Sequence, residues 1–288
     1  MDDPRALLRH YGLSPRKSLG QNFLVDASAP GRIAAHAGIG AADTVLEVGA
    51  GLGTLTAELA THAGQVIAVE TDAHLVEVLP QTLAAFENVT IVHGDILQLD
   101  PAVLLDTHPV PVMPLWGARL PHYRVVANLP YYITAAVLRH VLEATVRPAR
   151  MVVTVQREVA ARMVAAPGDM SLLAVSVQFY GEPRVCMRLK RGAFYPVPDV
   201  ESAVVALDLY DAPPVPVTDV AHFFRVVRAG FAQRRKQLRN TLSAVLQLPA
   251  ADVVKALDAV GIDATRRAET LALPEWGEVA RVLHPLLT

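Results

Sequence analysis

A single cysteine, Cys186, among 288 residues rules out an intramolecular disulfide and any zinc site built from several thiolates. Charged residues are slightly scarce at 19%, yet no run of about 18 uncharged apolar residues occurs, so no membrane-spanning helix is expected. Met1 to Lys17 holds Asp, Arg, His and Pro where a secretory leader would carry its apolar stretch. The expectation is a soluble, cytoplasmic protein that makes no use of a membrane. Nor is there an excess of charge of either sign: the net charge is −2. Positive charge is nevertheless concentrated locally. Arg184, Arg188, Lys190 and Arg191 form one acid-free run, and Arg225, Arg228, Arg234, Arg235, Lys236 and Arg239 form a second. Such runs serve as solvated faces or as contacts for a phosphate backbone.

What the chain does have is apolar residues, 52% of the total, enough to fill one domain of about 200 residues and a smaller one. Thr44–Val48, Gln65–Glu70, Val89–Val92, Arg124–Ala127 and Met151–Val155 are nearly continuous apolar runs, as in strands covered on both faces. Helical patterns at Leu52–Ala63, Ala73–Phe86, Thr134–Ala144 and Arg157–Ala165 alternate with them, and Ala203–Tyr210 reads as a further strand. This alternation predicts an α/β fold with a doubly wound sheet. The proline-rich Asp211–Val217 is the predicted boundary between a first domain, 1–210, and a small all-helical domain, 218–288. In the second domain the helical patterns are His222–Gly230, Gln233–Leu246, Ala251–Val260 and Pro274–Leu287. Asp106–His122, with four prolines, reads as an exposed loop.

Chemistry begins at the end of the first strand, in Glu47-Val-Gly49-Ala-Gly51-Leu-Gly53. Glycines here allow a tight turn and the close approach of a ligand. Nicotinamide and flavin enzymes also use a glycine turn. The G-x-G-x-G spacing and the acid inside the strand end favour a site for S-adenosyl-L-methionine, which has no pyrophosphate to seat on a helix N-terminus. Glu70 closes the second strand, where a carboxylate can accept from both ribose hydroxyls, and Asp95 closes the third, where it can accept from an adenine amine. Each acid alone has a plainer role as a cap or a surface charge, although Asp72 is the better-placed helix cap. Three acids at the carboxyl ends of three successive strands line one crevice.

The sharpest signal is Asn128-Leu129-Pro130-Tyr131 after the fourth strand. The exocyclic amine of adenine is a poor nucleophile because its lone pair is delocalised into the ring. The Asn128 side-chain oxygen and the Leu129 carbonyl can accept from its two protons and free that lone pair. Pro130 fixes the backbone that aims the carbonyl, and Tyr131 offers a ring face to an extracted base. Catalysis would then consist mainly of positioning and preorganised acceptors, with no general base.

These motifs, together with Gly20-Gln-Asn-Phe-Leu24, Glu47–Thr56, Gly94–Leu97, Asn128–Thr134, Gln156–Ala160, Phe194-Tyr-Pro-Val-Pro198, Phe231–Leu242 and Arg267–Leu271, resemble the ribosomal RNA adenine dimethyltransferase family from about residue 16 onward. Within it the resemblance is nearest to the small-subunit N6,N6-dimethyltransferases whose loss confers kasugamycin resistance. The resemblance implies a class I, Rossmann-like methyltransferase sheet and dimethylation of two adjacent adenines in the 3′-terminal hairpin loop of small-subunit rRNA. It implies that Asn22 and Leu24 cover the S-adenosyl-L-methionine, with Gly49 at its methionine part, Gly51 also in the cofactor site, Glu70 at its ribose, Asp95 at its adenine and Asn128 between cofactor and target amine. Phe194 would be a second aromatic wall against the base, although by itself it reads as core packing. Arg234, Arg235, Lys236 and Arg239 are expected to contact RNA phosphates, with Arg235 and Arg239 sharing a helix face. The expected partner is small-subunit rRNA in the assembling subunit, and the expected state is a monomer. Pro167–Leu172 lacks the Tyr-Gly pair usual in the family, and the proline-rich segment is longer than usual.

Other readings remain at this point. Macrolide-resistance methyltransferases carry the same catalytic motifs but modify a single adenine of large-subunit rRNA. A DNA adenine methyltransferase, a non-catalytic assembly factor and a nicotinamide-dependent dehydrogenase fit the flanking phrases, the intact motifs and the turn spacing less well.

Overall fold

In the computed structural model, residues 3–105, 118–217 and 219–287 are described. Nine strands occur among them: β1 (Phe23–Leu24), β2 (Thr44–Val48), β3 (Gln65–Glu70), β4 (Val89–His93), β5 (Ala118–Asn128), β6 (Val146–Gln156), β7 (Gly181–Leu189), β8 (Phe194–Tyr195) and β9 (Ser202–Leu209). Seven of them form one sheet in the order β4-β3-β2-β5-β6-β9-β7, while β1 and β8 pair antiparallel by themselves. β2 runs parallel to β3 on one side and to β5 on the other. β9 runs antiparallel to β6. The chain therefore steps outward from β2 through β3 to β4, then returns to lay β5 on the opposite edge of β2. That reversal opens a crevice beyond the carboxyl ends of β2 and β5. The glycine turn follows β2 and Asn128 ends β5, so the two strongest sequence motifs meet at the switch point.

The helices are α1 (Pro4–His10), α2 (Ala29–Ala37), α3 (Thr54–Ala60), α4 (Ala73–Thr82), α5 (Pro101–Leu104), α6 (Thr134–Leu142), α7 (Arg157–Met163), α8 (Leu172–Tyr180), α9 (Val220–Phe231), α10 (Leu238–Leu246), α11 (Ala250–Asp258) and α12 (Leu273–Leu283). Of the continuous apolar runs, β2, β3, β5 and β6 are covered as expected, whereas β4, at the edge of the sheet, has no fully buried residue. Val45, Val66, Val126, Val152 and Val204 of the sheet share a core with Ile33 of α2 and Leu55 and Leu59 of α3. Ala68 of β3 belongs to a second cluster with Leu79 and Leu83. No helix among the described residues is long and apolar enough to cross a membrane.

The chain divides into two compact units. The first holds the sheet, and the division falls after Leu209. The second holds α9 to α12 and also residues 161–182, which the sequence pattern assigns to the first domain. Aromatic packing accounts for the transfer: Phe179 of α8 stacks on Phe223 of α9 at 4.5 Å, and Tyr180 stacks on Phe224 at 6.0 Å. Three further expectations change. Residues 118–122 belong to β5 and not to a loop, while 106–117 lie outside the described residues. β7 is a strand where the sequence shows only a basic run. α10 begins at Leu238, capped at Gln237, rather than at Gln233.

Within the second unit α9 passes directly over the Trp276 ring. A Cβ placed on Gly230 would lie 2.3 Å from that ring, and both Gly230 and Trp276 are buried. Gly230→Ala should therefore destabilise this unit by about 1–3 kcal/mol through overpacking, despite the better helix propensity of alanine. Chemical denaturation of the two proteins measures the difference, and equal midpoints would contradict the packing argument.

Candidate active site

A cavity of about 330 Å³ opens at the switch point, within the range of roughly 300–1,000 Å³ typical of small-molecule sites. Its walls come from the segment before β1, the glycine turn, the ends of β3 and β4, and the segment after β5. Asn22, Leu24, Gly49, Gly51, Glu70, Asp95, Asn128, Leu129, Pro130 and Tyr131 all line it.

Gly49, Gly51 and Gly53 adopt φ of 78°, 61° and 83°, a left-handed region that side chains disfavour, so the sequence requires glycine at each. The turn is fastened by Glu70. Its Oε2 accepts from Gly51 N at 2.8 Å, and its Oε1 accepts from Thr71 N and Asp72 N, both at 2.9 Å. The carboxylate is 5% exposed. Burial pushes its pKa upward, the three backbone donors oppose that, and the charge of Asp72 adds to it. Asp95 caps a short 3₁₀ turn through Leu97 N at 3.0 Å and accepts from Gln98 Nε2 at 3.3 Å.

Glu47, in the middle of the glycine motif, is fully buried, and its Oε2 has no hydrogen-bond partner among the described residues. Burial raises its pKa from the ordinary 4.5 to about 8, with Thr56 opposing and Glu70 adding. The folded protein thus keeps a proton that the unfolded chain releases above its ordinary value. Stability attributable to Glu47 is present at low pH and is lost as pH rises from about 4.5 to about 8. Glu47→Gln should flatten this fall, melting closer to its low-pH temperature at about pH 8 than the parent does. Melting curves over that range test it, and parallel pH profiles would refute it.

The Asn128 amide is oriented by its neighbours. Its Nδ2 donates to the Asn22 carbonyl at 3.0 Å, and because a carbonyl can only accept, the amide nitrogen must face that way. Oδ1 is left without a partner among the described residues, as is the Leu129 carbonyl. The next carbonyl, of Pro130, is occupied by Ile133 N at 3.2 Å and Thr134 Oγ1 at 3.2 Å. Asn128 and Leu129 both line the cavity, each with an acceptor not engaged by another described residue. Tyr131 is half-buried with its hydroxyl 2.7 Å from Ser202 Oγ, and burial raises its pKa, so the phenol stays protonated.

Comparison with known proteins now bears on identity. The family model for ribosomal RNA adenine dimethylase matches residues 12–283. The chain belongs to this family. A protein of Moorella thermoacetica named ribosomal RNA small subunit methyltransferase A is 48% identical over 97% of this chain and 96% of its own length. One of the same name from Dehalococcoides mccartyi is 46% identical over 96% of this chain and 91% of its own. Among solved structures, the 23S rRNA methyltransferase ErmE superposes with a TM-score of 0.69 at 27% identity, over 91% of this chain and 99% of that one. A dimethyladenosine transferase from Plasmodium falciparum gives 0.74 at 21% identity over 90% and 96%, a likeness of fold. The doubly wound sheet is thus that of the class I methyltransferases.

Two expectations for this dimethylase need correction. Phe194 does not face the cavity. It is wholly buried, in the core cluster with Leu24 and Ile33, because β8 pairs with β1 and sets Leu24 opposite Phe194. The exposed aromatic at the cavity rim is Tyr132, 62% exposed, which the motif alone does not single out. Second, Arg234, Arg235 and Lys236 lie in the turn between α9 and α10, so the helical pairing of Arg235 with Arg239 does not hold. All four are exposed, and none forms a salt bridge among the described residues. Arg239 Nε donates to Gln237 Oε1 at 3.0 Å.

Proposed function

We propose that this dimethylase uses S-adenosyl-L-methionine to N6,N6-dimethylate two adjacent adenines in the 3′-terminal hairpin loop of small-subunit (16S) rRNA, as a cytoplasmic monomer acting during subunit maturation. The observation that carries the chemistry is the Asn128 amide, held by the Asn22 carbonyl so that Oδ1 and the Leu129 carbonyl are both available to an exocyclic amine.

The cavity fits the cofactor by its charge. Glu70 and Asp95 are the acids that give it this charge, the buried Glu47 beside them keeps its proton below about pH 8 and adds none, and among the described residues no Lys, Arg or His lines it. Such a lining suits a sulfonium and an ammonium, and it repels the pyrophosphate of a dinucleotide. When bound, S-adenosyl-L-methionine supplies an electrophilic methyl group. Glu70 would hold the ribose hydroxyls, Asp95 the adenine amine, and Gly49 and Gly51 would leave room for the methionine part, with Asn22 and Leu24 covering it. Asn128 Oδ1 and Leu129 O accept from the target amine and draw its nitrogen toward tetrahedral geometry. Pro130 fixes the carbonyl, and the Tyr131 ring supports the base. The proton leaves once the nitrogen carries its new bond, so the site needs no base, consistent with the protonated Tyr131.

The likeness to a 23S rRNA methyltransferase keeps a large-subunit adenine as the second reading. The curated relatives favour the small subunit at much higher identity. Methyl transfer to unmethylated small and large subunits, with the modified nucleoside identified by mass, decides between them. Dimethyladenosine in large subunits alone would overturn the proposal.

RNA phosphates are assigned to Arg234, Arg235, Lys236 and Arg239. Replacing all four with Gln should weaken subunit binding and lower its log–log salt slope by about 0.7–0.9 for each phosphate no longer neutralised. Affinity for S-adenosyl-L-methionine should not change, because the cavity is lined wholly by other residues. An unchanged slope would make these residues a solvated face.

A further inference from the structure

Consecutive residues of the segment before β1 are tied to opposite sides of the cavity. Gln21 Nε2 donates to Asp72 Oδ2 at 2.8 Å, just beyond β3, and the Asn22 carbonyl accepts from Asn128 Nδ2 at 3.0 Å, at the end of β5. Since β3 and β5 flank β2, this segment crosses the glycine turn like a strap. The direction of the first tie is fixed by a second bond. Gln21 Oε1 accepts from Arg16 N at 2.8 Å, which forces Nε2 toward Asp72. Asp72 is 4% exposed, and its Oδ1 accepts from Arg16 Nη1 at 3.1 Å and from His74 N at 3.2 Å. Asp72 N in turn donates to Glu70 Oε1, the carboxylate that fastens the glycine turn. At the cavity rim the Tyr132 ring packs so close to Gly20 that a Cβ there would lie 3.0 Å from it.

We infer that Gln21 and Asp72 are positioning residues, a latch that holds the strap over the cofactor and, through the Asn22 carbonyl, keeps the Asn128 amide turned with Oδ1 toward the target amine. Neither side chain needs to contact a reacting atom. A nearly buried carboxylate whose Oδ2 accepts from an uncharged amide is sensitive to the polarity of that partner, which makes the latch testable by reversal. The inference rests on the reading of the cavity as the S-adenosyl-L-methionine site.

Gln21→Glu sets one carboxylate against another, and Asp72→Asn sets an amide nitrogen against the Gln21 amide nitrogen. The amide introduced by Asp72→Asn would still cap α4 through its oxygen. Each single variant should bind S-adenosyl-L-methionine about tenfold more weakly, with faster dissociation. Each should also show faster amide exchange in residues 13–22. The double variant, Gln21→Glu with Asp72→Asn, regenerates the hydrogen bond with its direction reversed. The new amide at position 72 then donates to the new carboxylate at position 21, at unchanged net charge. It should recover affinity to within about threefold of the parent. Calorimetry and stopped-flow dissociation on the full chain measure both quantities. If Gln21→Glu does not fold, Gln21→Leu removes the donor without adding charge and carries the same expectation. Single variants that bind as the parent does, or losses that simply add in the double variant, overturn the latch and leave the cofactor site standing. A parent protein that binds no S-adenosyl-L-methionine overturns the cofactor reading itself, and the latch with it.

Discussion

Asn128→Ala should lower the rate of methyl transfer at saturating substrates by about 100-fold or more, the loss expected when one preorganised polar contact to a reacting group is removed. The alanine leaves the Leu129 carbonyl as the one remaining acceptor, so the amine nitrogen is no longer drawn out of conjugation with the ring. The binding terms should move far less. RNA affinity should barely change, since Asn128 addresses one amine in an extended RNA interface. Cofactor affinity should fall only a few-fold, because the bond from Asn128 to the Asn22 carbonyl is a single neutral hydrogen bond, worth about 0.5–1.5 kcal/mol net. Asn128→Asp sharpens the test. It keeps an oxygen for the amine but puts a second oxygen against the Asn22 carbonyl, so the side chain should turn away and activity should stay low. Single-turnover assays separate the chemical step from binding. More than half of the parent rate in Asn128→Ala would remove this residue from the mechanism.

The parts of this fold that are legible in the sequence are those where one local pattern has one structural meaning. Strands buried on both faces are continuous apolar runs, so β2, β3, β5 and β6 stand out, the edge strand β4 stands out by its β-branched residues although none is buried, and motifs that follow strand ends can be placed at one edge of the sheet. α8 does not stand out, because Leu172–Tyr180 is apolar nearly all round and has no amphipathic period to separate helix from strand. β7 carries Arg184 and Arg188 at the edge of the sheet and reads as charge alone. β1 and β8 are two residues long and have no period, yet their pairing is what buries Phe194. The helix expected from Gln233 starts five residues later because its first backbone donors are satisfied elsewhere: Leu238 N donates to Arg266 O at 2.8 Å and Arg239 N to Ala264 O at 3.2 Å. In the site itself the residue types are legible and the ties between them are not. Gln21 and Asp72 stand far apart in the chain, and only the folded sheet brings them together. Asp72 reads from its position as a helix cap, which it is, through His74 N.

Glu70 is where the sequence and the structure assign different work to one side chain, and a substitution can apportion it. The position suggests a carboxylate for the ribose hydroxyls. The structure adds that three backbone donors, of Gly51, Thr71 and Asp72, already converge on it. Glu70→Ala should weaken S-adenosyl-L-methionine binding by roughly 10- to 100-fold, equivalent to about 1.5–3 kcal/mol for a lost charge-assisted acceptor. It should also lower the melting temperature, since it strands those buried donors. RNA binding should be intact, because the RNA contacts assigned to the second unit are untouched. To divide the loss, Glu70→Gln is the better variant. Its oxygen can still accept from Thr71 N and Asp72 N, while its amide nitrogen faces Gly51 N and loses that bond. Affinities of the parent and Glu70→Gln for S-adenosyl-L-methionine and for its 2′-deoxy analogue then form a thermodynamic cycle. If Glu70 holds the ribose, the parent should discriminate against the deoxy compound and the variant should discriminate much less. Equal discrimination by both proteins would mean that Glu70 serves the cofactor only by fastening the glycine turn, and the ribose would have to be held by another acceptor.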